Sequence, residues 1–231
     1  MLILGLLDLR APHGPLSGMT APLAPIAIEA IRPLLSWLDM AGVAVFAVSG
    51  ALAAARAKQT IVTFAFFAAV TGIGGGTLRD LLIGAPVFWV GRSDYLGVCL
   101  FAAGAVWLLR ADRWRLPALL WFDAIGMAAY AVIGAAKAGS YGLPPLPSIA
   151  MGVLSASFGG IIRDVLAGEP SILLRREIYV SAAALGAATF VLLSTFGMGA
   201  SLAGIIGASA GFTLRALAIG KGLSLPGYRA D

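Results

Sequence analysis

Residues 71–80 read TGIGGGTLRD and residues 155–164 read SASFGGIIRD. Each stretch lies in a long apolar run, and each carries the pattern Gly-Gly-x-x-Arg-Asp: Gly75, Gly76, Arg79 and Asp80 in the first, Gly159, Gly160, Arg163 and Asp164 in the second. The separation of 84 residues holds well beyond the motif. A shift of 84 aligns residues 37–109 with 121–193 without a gap, and 21 of the 73 positions are identical. Trp37 and Asp39 meet Trp121 and Asp123, while Leu82, Gly84, Pro86, Arg92 and Tyr95 meet Leu166, Gly168, Pro170, Arg176 and Tyr179. Chance similarity between apolar helices matches alanine and leucine. Arginine, aspartate, proline and tyrosine kept in register indicate an internal duplication.

The solvent follows from composition. Of 231 residues, 60% are hydrophobic and only 12% charged, with a mean hydropathy of +0.94. A water-soluble domain carries about a quarter charged residues, so the lipid bilayer must face most of this surface. The 30 glycines fit, because small residues let membrane helices approach closely. The net charge of +5 does not point to nucleic acid, since the basic residues stand singly or in short clusters between apolar runs. Cys99 is the one cysteine and His13 the one histidine. Together with the lack of a metal-ligand cluster or phosphate loop, they argue against an enzyme and call for no metal and no cofactor.

Seven segments suit membrane spans of roughly 20 apolar residues: 34–55, 60–84, 95–110, 117–137, 145–168, 177–196 and 199–219. The expected organisation is a proline-rich, poorly ordered leader over 1–33 and a three-helix repeat over 34–110. A second repeat follows over 117–196, then a seventh helix over 199–219 and a tail over 220–231. Three spans per repeat is an odd number, so the second copy enters the membrane from the opposite side. The fold class is an all-α membrane protein with two inverted three-helix repeats plus a seventh helix, an arrangement common among transporters. Lys and Arg in alternate loops divide ten to four: Arg56, Lys58, Arg110, Arg113, Arg115, Arg175, Arg176, Arg215, Lys221 and Arg229 against Arg10, Arg32, Arg92 and Lys137. The positive-inside rule then places the C-terminus in the cytoplasm and the N-terminus outside.

A charged residue at a helix centre costs about 2.5–3.5 kcal/mol on insertion scales. Arg79, Asp80, Arg163 and Asp164 must therefore pair, face the bundle interior or line water. Two readings stand: a clamp between the repeats, reaching to Asp39 and Asp123, or the lining of a pathway. The glycines Gly74, Gly75, Gly76, Gly159 and Gly160 are expected to interrupt or bend helices 2 and 5 and free carbonyls toward a path. Thr71, Ser155 and Ser157 precede the motifs and are placed to touch a permeating ion, or to bond their own backbone. Lys137 reads as a snorkelling residue or a pathway residue. Asp39, three residues after Ser36, reads as support for a helix start or as a pathway residue, with Asp123 as its counterpart. The tryptophans read as interfacial anchors.

With these residues in hand, the chain resembles prokaryotic members of the trimeric intracellular cation channel family over about residues 34–219. The resemblance implies a homotrimer in the prokaryotic inner membrane with a pore in each protomer, permeable to K⁺ or Na⁺ and surrounded by helices 2 and 5. It assigns pore and gating roles to Gly74, Gly75, Gly76, Arg79, Asp80, Gly159, Gly160, Arg163 and Asp164. Phe158 stands where the pattern has the first glycine of the triplet, so the halves need not contribute equally. Helix 4 lacks the Lys/Glu-rich patch that animal members use for phosphoinositide binding. Bacterial proteins with the same duplicated domain are also described as glycine transporters, and an Arg/Asp pair is able to hold a zwitterion. A scaffold without flux is the third class.

Overall fold

The computed structural model describes the backbone of residues 26–109, 115–171 and 177–226, and the side chains of 39–109, 116–171 and 177–226. Seven helices lie among them: α1 (Ile26–Arg56), α2 (Ile61–Leu82), α3 (Asp94–Leu109), α4 (Arg115–Ser140), α5 (Pro145–Leu166), α6 (Val180–Thr195) and α7 (Ala200–Lys221). Residues 1–25 with His13, the arginines Arg110, Arg113, Arg175, Arg176 and Arg229, and the side chains of Arg32, Ser36, Trp37 and Arg115 lie outside the described residues. Residues 26–33, expected in the leader, belong to α1. Asp39 is thus well inside that helix, and its expected role at a helix start is overturned.

Five helices are long and apolar enough to cross a membrane: α1, α2, α4, α5 and α7. The helices α3 and α6 have 16 residues each, about 24 Å of rise against a hydrocarbon core of about 30 Å. Both are nonetheless uniformly apolar. Trp107 near the end of α3 stacks edge-on against Phe64 at the start of α2, with centroids 5.0 Å apart. At the other end of α3, Tyr95 bonds to Asp39. So α3 runs antiparallel to α2 and spans the bundle from one end to the other.

Local signals set the helix ends. The Thr60 hydroxyl accepts the backbone N–H of Thr63 and caps α2. Both motif helices end on the same turn: Gly84 and Gly168 take φ of +68° and +70°, a left-handed conformation that glycine adopts without cost. Ala85 N–H returns to Asp80 O at 2.8 Å, and Glu169 N–H to Asp164 O at 3.0 Å. Pro86 and Pro170 follow two residues later and prevent continuation.

The core is built from small residues, so backbones approach closely. Two helices of the first repeat pack on their own counterparts, α1 on α4 and α2 on α5, while α7 lies against α4 and α6. The contacts are reciprocal under the 84-residue shift. A Cβ on Gly42 would strike the Tyr130 ring, and one on Gly126 would press on the Phe46 ring. A Cβ on Gly75 would strike the Ser155 carbonyl oxygen, and one on Gly159 the Thr71 carbonyl oxygen. Helical structure runs unbroken through all of these glycines. The expected interruption is therefore absent. Glycine is needed here because a neighbouring backbone occupies the space a side chain would take.

Candidate functional site: two buried ion networks

Each Gly-Gly-x-x-Arg-Asp element ends its helix in a buried ion network, and the two networks lie at opposite ends of the bundle. At the α2 end, Arg79 and Asp80 are 1% and 0% exposed. The Arg79 side chain folds onto its neighbour, Nε donating to Asp80 Oδ1 at 2.8 Å. Lys137 Nζ reaches the same oxygen from α4 at 2.8 Å, and the Phe88 backbone N–H donates to Asp80 Oδ2 at 3.0 Å. Asp80 thus gathers α2, α4 and the α2–α3 loop around one carboxylate. The Phe88 ring lies over Gly76 and 6.0 Å from the Arg79 guanidinium. The loop is pinned further by Trp89 Nε1, which donates to Thr77 Oγ1 at 2.9 Å. Alongside, the Tyr95 hydroxyl donates to Asp39 Oδ2 at 2.8 Å.

At the α5 end, Arg163 is 2% exposed. Its Nε donates to Asp164 Oδ1 at 2.9 Å, and its Nη1 to Ser49 Oγ at 2.6 Å and to Asp123 Oδ1 in a short ion pair. The Tyr179 hydroxyl donates to Ala156 O at 3.0 Å. Beyond it, Arg215 of α7 covers the Tyr179 ring at 5.2 Å and pairs with Glu177 at 2.5 Å. A cavity of about 140 Å³ with a mixed polar and apolar lining opens beside this network, lined by Ala53, Arg56, Leu119, Asp123, Arg163 and Asp164 among others. At its rim Arg56 and Glu169 pair at 3.9 Å.

The expected clamp of one motif on the other is not formed: each arginine pairs within its own repeat. The links between repeats are instead Lys137 to Asp80 and Arg163 to Ser49. Lys137 is an ion-pair partner rather than a free snorkelling group. Thr71 and Ser157 are buried with hydroxyls that meet no partner among the described residues, whereas Ser155 bonds back to Met151 O at 2.7 Å. A Cβ on Gly74 would stand 3.4 Å from the Ile162 side chain, and one on Gly160 3.5 Å from Asp123 Oδ1. Of the tryptophans, Trp107 and Trp121 are about two-fifths exposed, as anchors require, while Trp89 is a loop pin.

Four participants escaped the sequence reading. Arg215, counted there with the loop charges, is buried in α7 at 2% exposure; a lone arginine in an apolar helix was its signal. Tyr95 and Tyr179 matched in the repeat, but their roles needed the geometry. Ser49 gave no signal, because Ile133 stands at its counterpart position.

The duplicated architecture agrees with known proteins. A family model described as "Glycine transporter" matches twice, over residues 36–111 and 120–195. The chain belongs to this family. A UPF0126 membrane protein of Vibrio cholerae is 41% identical over 185 residues, 78% of this chain and 76% of that protein. The UPF0126 inner membrane protein YadS of Escherichia coli K12 is 37% identical over 189 residues, 79% of this chain and 90% of that protein. Among solved structures, the TRIC trimeric intracellular cation channel orthologue from Rhodobacter sphaeroides is 46% identical with a TM-score of 0.80, covering 82% of this chain and 99% of that one. A prokaryotic TRIC channel solved in 0.5 M KCl is 26% identical with a TM-score of 0.78, covering 84% and 100%. This is a multi-pass membrane protein with the TRIC fold.

Proposed function

We propose that the protein is a monovalent cation channel, passing K⁺ or Na⁺ through a pathway inside each protomer of a homotrimer. The observation that carries the reading is the 46% identity to the Rhodobacter sphaeroides TRIC cation channel orthologue over nearly all of that chain. The pathway runs beside α2 and α5, bordered by Gly74, Gly75, Gly76, Arg79, Asp80, Gly159, Gly160, Arg163 and Asp164. Thr71, Ser155, Ser157, Lys137, Asp39 and Asp123 stand close to it. Two arginines do not repel cations here, because each is neutralised by a carboxylate one residue away.

The α2–α5 crossing has no room for a methyl group at Gly75 or Gly159. The crossing itself therefore offers no path, and the pathway lies beside it. The repeats, 34–110 and 117–196, are inverted about an axis in the membrane plane. Three helices per repeat and the pairing of α1 with α4 and α2 with α5 support that arrangement. The helix over 199–219 and the tail over 220–231 complete the chain, with the C-terminus in the cytoplasm of a prokaryote and the N-terminus outside. Reconstitution in a planar bilayer under a KCl gradient tests the reading: discrete steps reversing near the K⁺ potential are expected, and silence across all voltages refutes it.

A carrier for a small zwitterion is the second reading, favoured by the family model's description as a glycine transporter. Saturable uptake of radiolabelled glycine into liposomes, without unitary current steps, would establish it in place of the channel.

A further inference from the structure

Each repeat begins its third helix with a buried tyrosine, Tyr95 in α3 and Tyr179 at the N-terminus of α6. An arginine faces each ring and pairs with a carboxylate near it. In the first repeat this is Arg92, 4.9 Å from the Tyr95 ring centre and 2.6 Å from Asp94. It lies three residues before the tyrosine it covers, and its ion pair is nearly half exposed. In the second repeat the arginine is Arg215, 5.2 Å from the Tyr179 ring centre, 2.5 Å from Glu177 and 2% exposed. It comes from α7, a helix outside the duplication. An arginine facing lipid from an apolar helix is costly, and a desolvated cation over a ring is held more strongly than an exposed one.

The helix that delivers Arg215 is seated without slack. Gly207 and Gly211 stand eight and four residues before it, on the same face of α7. A Cβ on Gly207 would come 2.8 Å from Gly186 O of α6, and one on Gly211 2.9 Å from Ala182 O. The two backbones touch, and Arg215 reaches Tyr179 one turn further on. Tyr179 in turn belongs to the α5-end network. Its hydroxyl donates to Ala156 O at 3.0 Å and lies within hydrogen-bond reach of the Asp123 carboxylate, the partner of Arg163. A Cβ on Gly160 would stand 3.5 Å from Asp123 Oδ1, 3.6 Å from Arg163 Nη2 and 3.8 Å from the Tyr179 hydroxyl, so the three groups converge on one point of α5. On the other side, the Glu177 backbone bridges to Ser224 of the tail, which a left-handed turn at Gly222 (φ +62°) brings back toward α6.

We infer that Arg215 is a positioning residue for conduction: it transmits the seat of α7 and its tail through Tyr179 to the Arg163–Asp123 pair, and so sets how often the α5 end of the pathway is open. Its contacts are the Tyr179 ring and Glu177, not the residues that border the path. Its loss therefore changes opening rather than the unitary current. The first repeat has no such lever, because Arg92 is supplied by that repeat's own loop. The role in opening rests on the channel reading; the coupling between α7 and the network does not.

The test uses the purified full-length protein, recorded in planar bilayers under a KCl gradient and unfolded thermally in detergent. Arg215→Gln should change the open-to-closed ratio by about 2–30-fold, the range for residues that modulate a site without touching it, with the unitary conductance unchanged. Arg215→Lys keeps a cation over the ring and beside Glu177, and should restore most of the wild-type ratio. Lys221→Gln removes the same charge from the exposed end of α7 and should alter neither quantity. An Arg215→Gln channel with the wild-type ratio overturns the inference, as does one whose unitary conductance falls instead. Should Arg215→Gln not fold, Glu177→Gln loosens the same arginine from a partly exposed position and serves in both assays, with a wild-type ratio again the overturning result. Thermal midpoints keep the two ideas apart. Ser49→Ala weakens the Arg163 network from α1, and its loss combined with Arg215→Gln should depart from the sum, because independent sites add. Losses that add sink the inference whatever the currents. A wild-type protein that is silent in the bilayer but shows non-additive losses sinks the channel and leaves the coupling.

Discussion

Replacing Gly75 or Gly159 by alanine tests the central packing claim. The added Cβ falls closer than 3.0 Å to a backbone oxygen, Ser155 O for Gly75 and Thr71 O for Gly159. Carbon–oxygen contacts between helices settle at about 3.3–3.6 Å, so α2 must back away from α5 by about 1 Å. Neither neighbour is a side chain that can rotate aside. Overpacking of this kind costs about 1–3 kcal/mol, and an unyielding backbone belongs at the upper end. Alanine returns about 1 kcal/mol through helix propensity, leaving about 2 kcal/mol per site. For a chain of this size that lowers the thermal midpoint by about 4–8 °C. Because both methyls act on one crossing, a single displacement relieves both. The double variant should therefore lose well under the sum of about 4 kcal/mol. Gly97→Ala is the control, since nothing lies within 4 Å of its Cβ; its midpoint should hold or rise. The reasoning fails if Gly75→Ala melts with the wild type, or if the two losses simply add.

Arg163→Gln leaves Asp123 and Asp164 buried without their guanidinium and should cost about 3–5 kcal/mol, read as a large fall in midpoint; Arg92→Gln, which breaks an exposed pair with Asp94, should leave the midpoint unchanged. Gly84→Ala and Gly168→Ala meet no neighbour within 4 Å but force a Cβ into left-handed backbone. Each should cost about 1–2 kcal/mol, and near-equal losses in thermal unfolding would confirm that both repeats use one turn. Trp89→Phe and Thr77→Val each remove one side of the Trp89–Thr77 hydrogen bond, worth about 0.5–1.5 kcal/mol, and the second also removes the hydroxyl's bond to Ile73 O. A double-mutant cycle should recover coupling of that size, and its absence would mean that the bond does not pin the α2–α3 loop.

The helices were legible because a bilayer demands long apolar runs, and the duplication was legible because Arg-Asp, Pro and Tyr recur in register. The glycines left two readings open, a break or bend in the helix and close packing. A glycine reports that a side chain is unwelcome, but not whether the backbone turns or a neighbour intrudes. At Gly84 and Gly168 the following prolines settle it in favour of a turn. At Gly75 and Gly159 the answer lies in the carbonyls of Ser155 and Thr71, 80 and 88 residues away in sequence, and no local pattern carries it. The charged pairs were found through the cost of burying them. One partner was found with them, since Asp123, which holds Arg163, stood among the candidates; Ser49 was missed because it has no counterpart in the opposite repeat to draw attention to it. Arg215 was hidden by its place in the last helix, where a basic residue passes for a topology signal.

Contacts that recur under the 84-residue shift are self-complementary: the surface that receives the Tyr130 ring at Gly42 is copied in the one that receives Phe46 at Gly126. Two identical halves would meet in this isologous way, and every change in one would appear twice. Joining the halves in one chain removes that constraint. A change can then be made in one half alone, without its copy appearing in the other. Lys137 opposite Ala53 is such a one-sided change, and it gives a protein built from a repeated plan two chemically distinct ends.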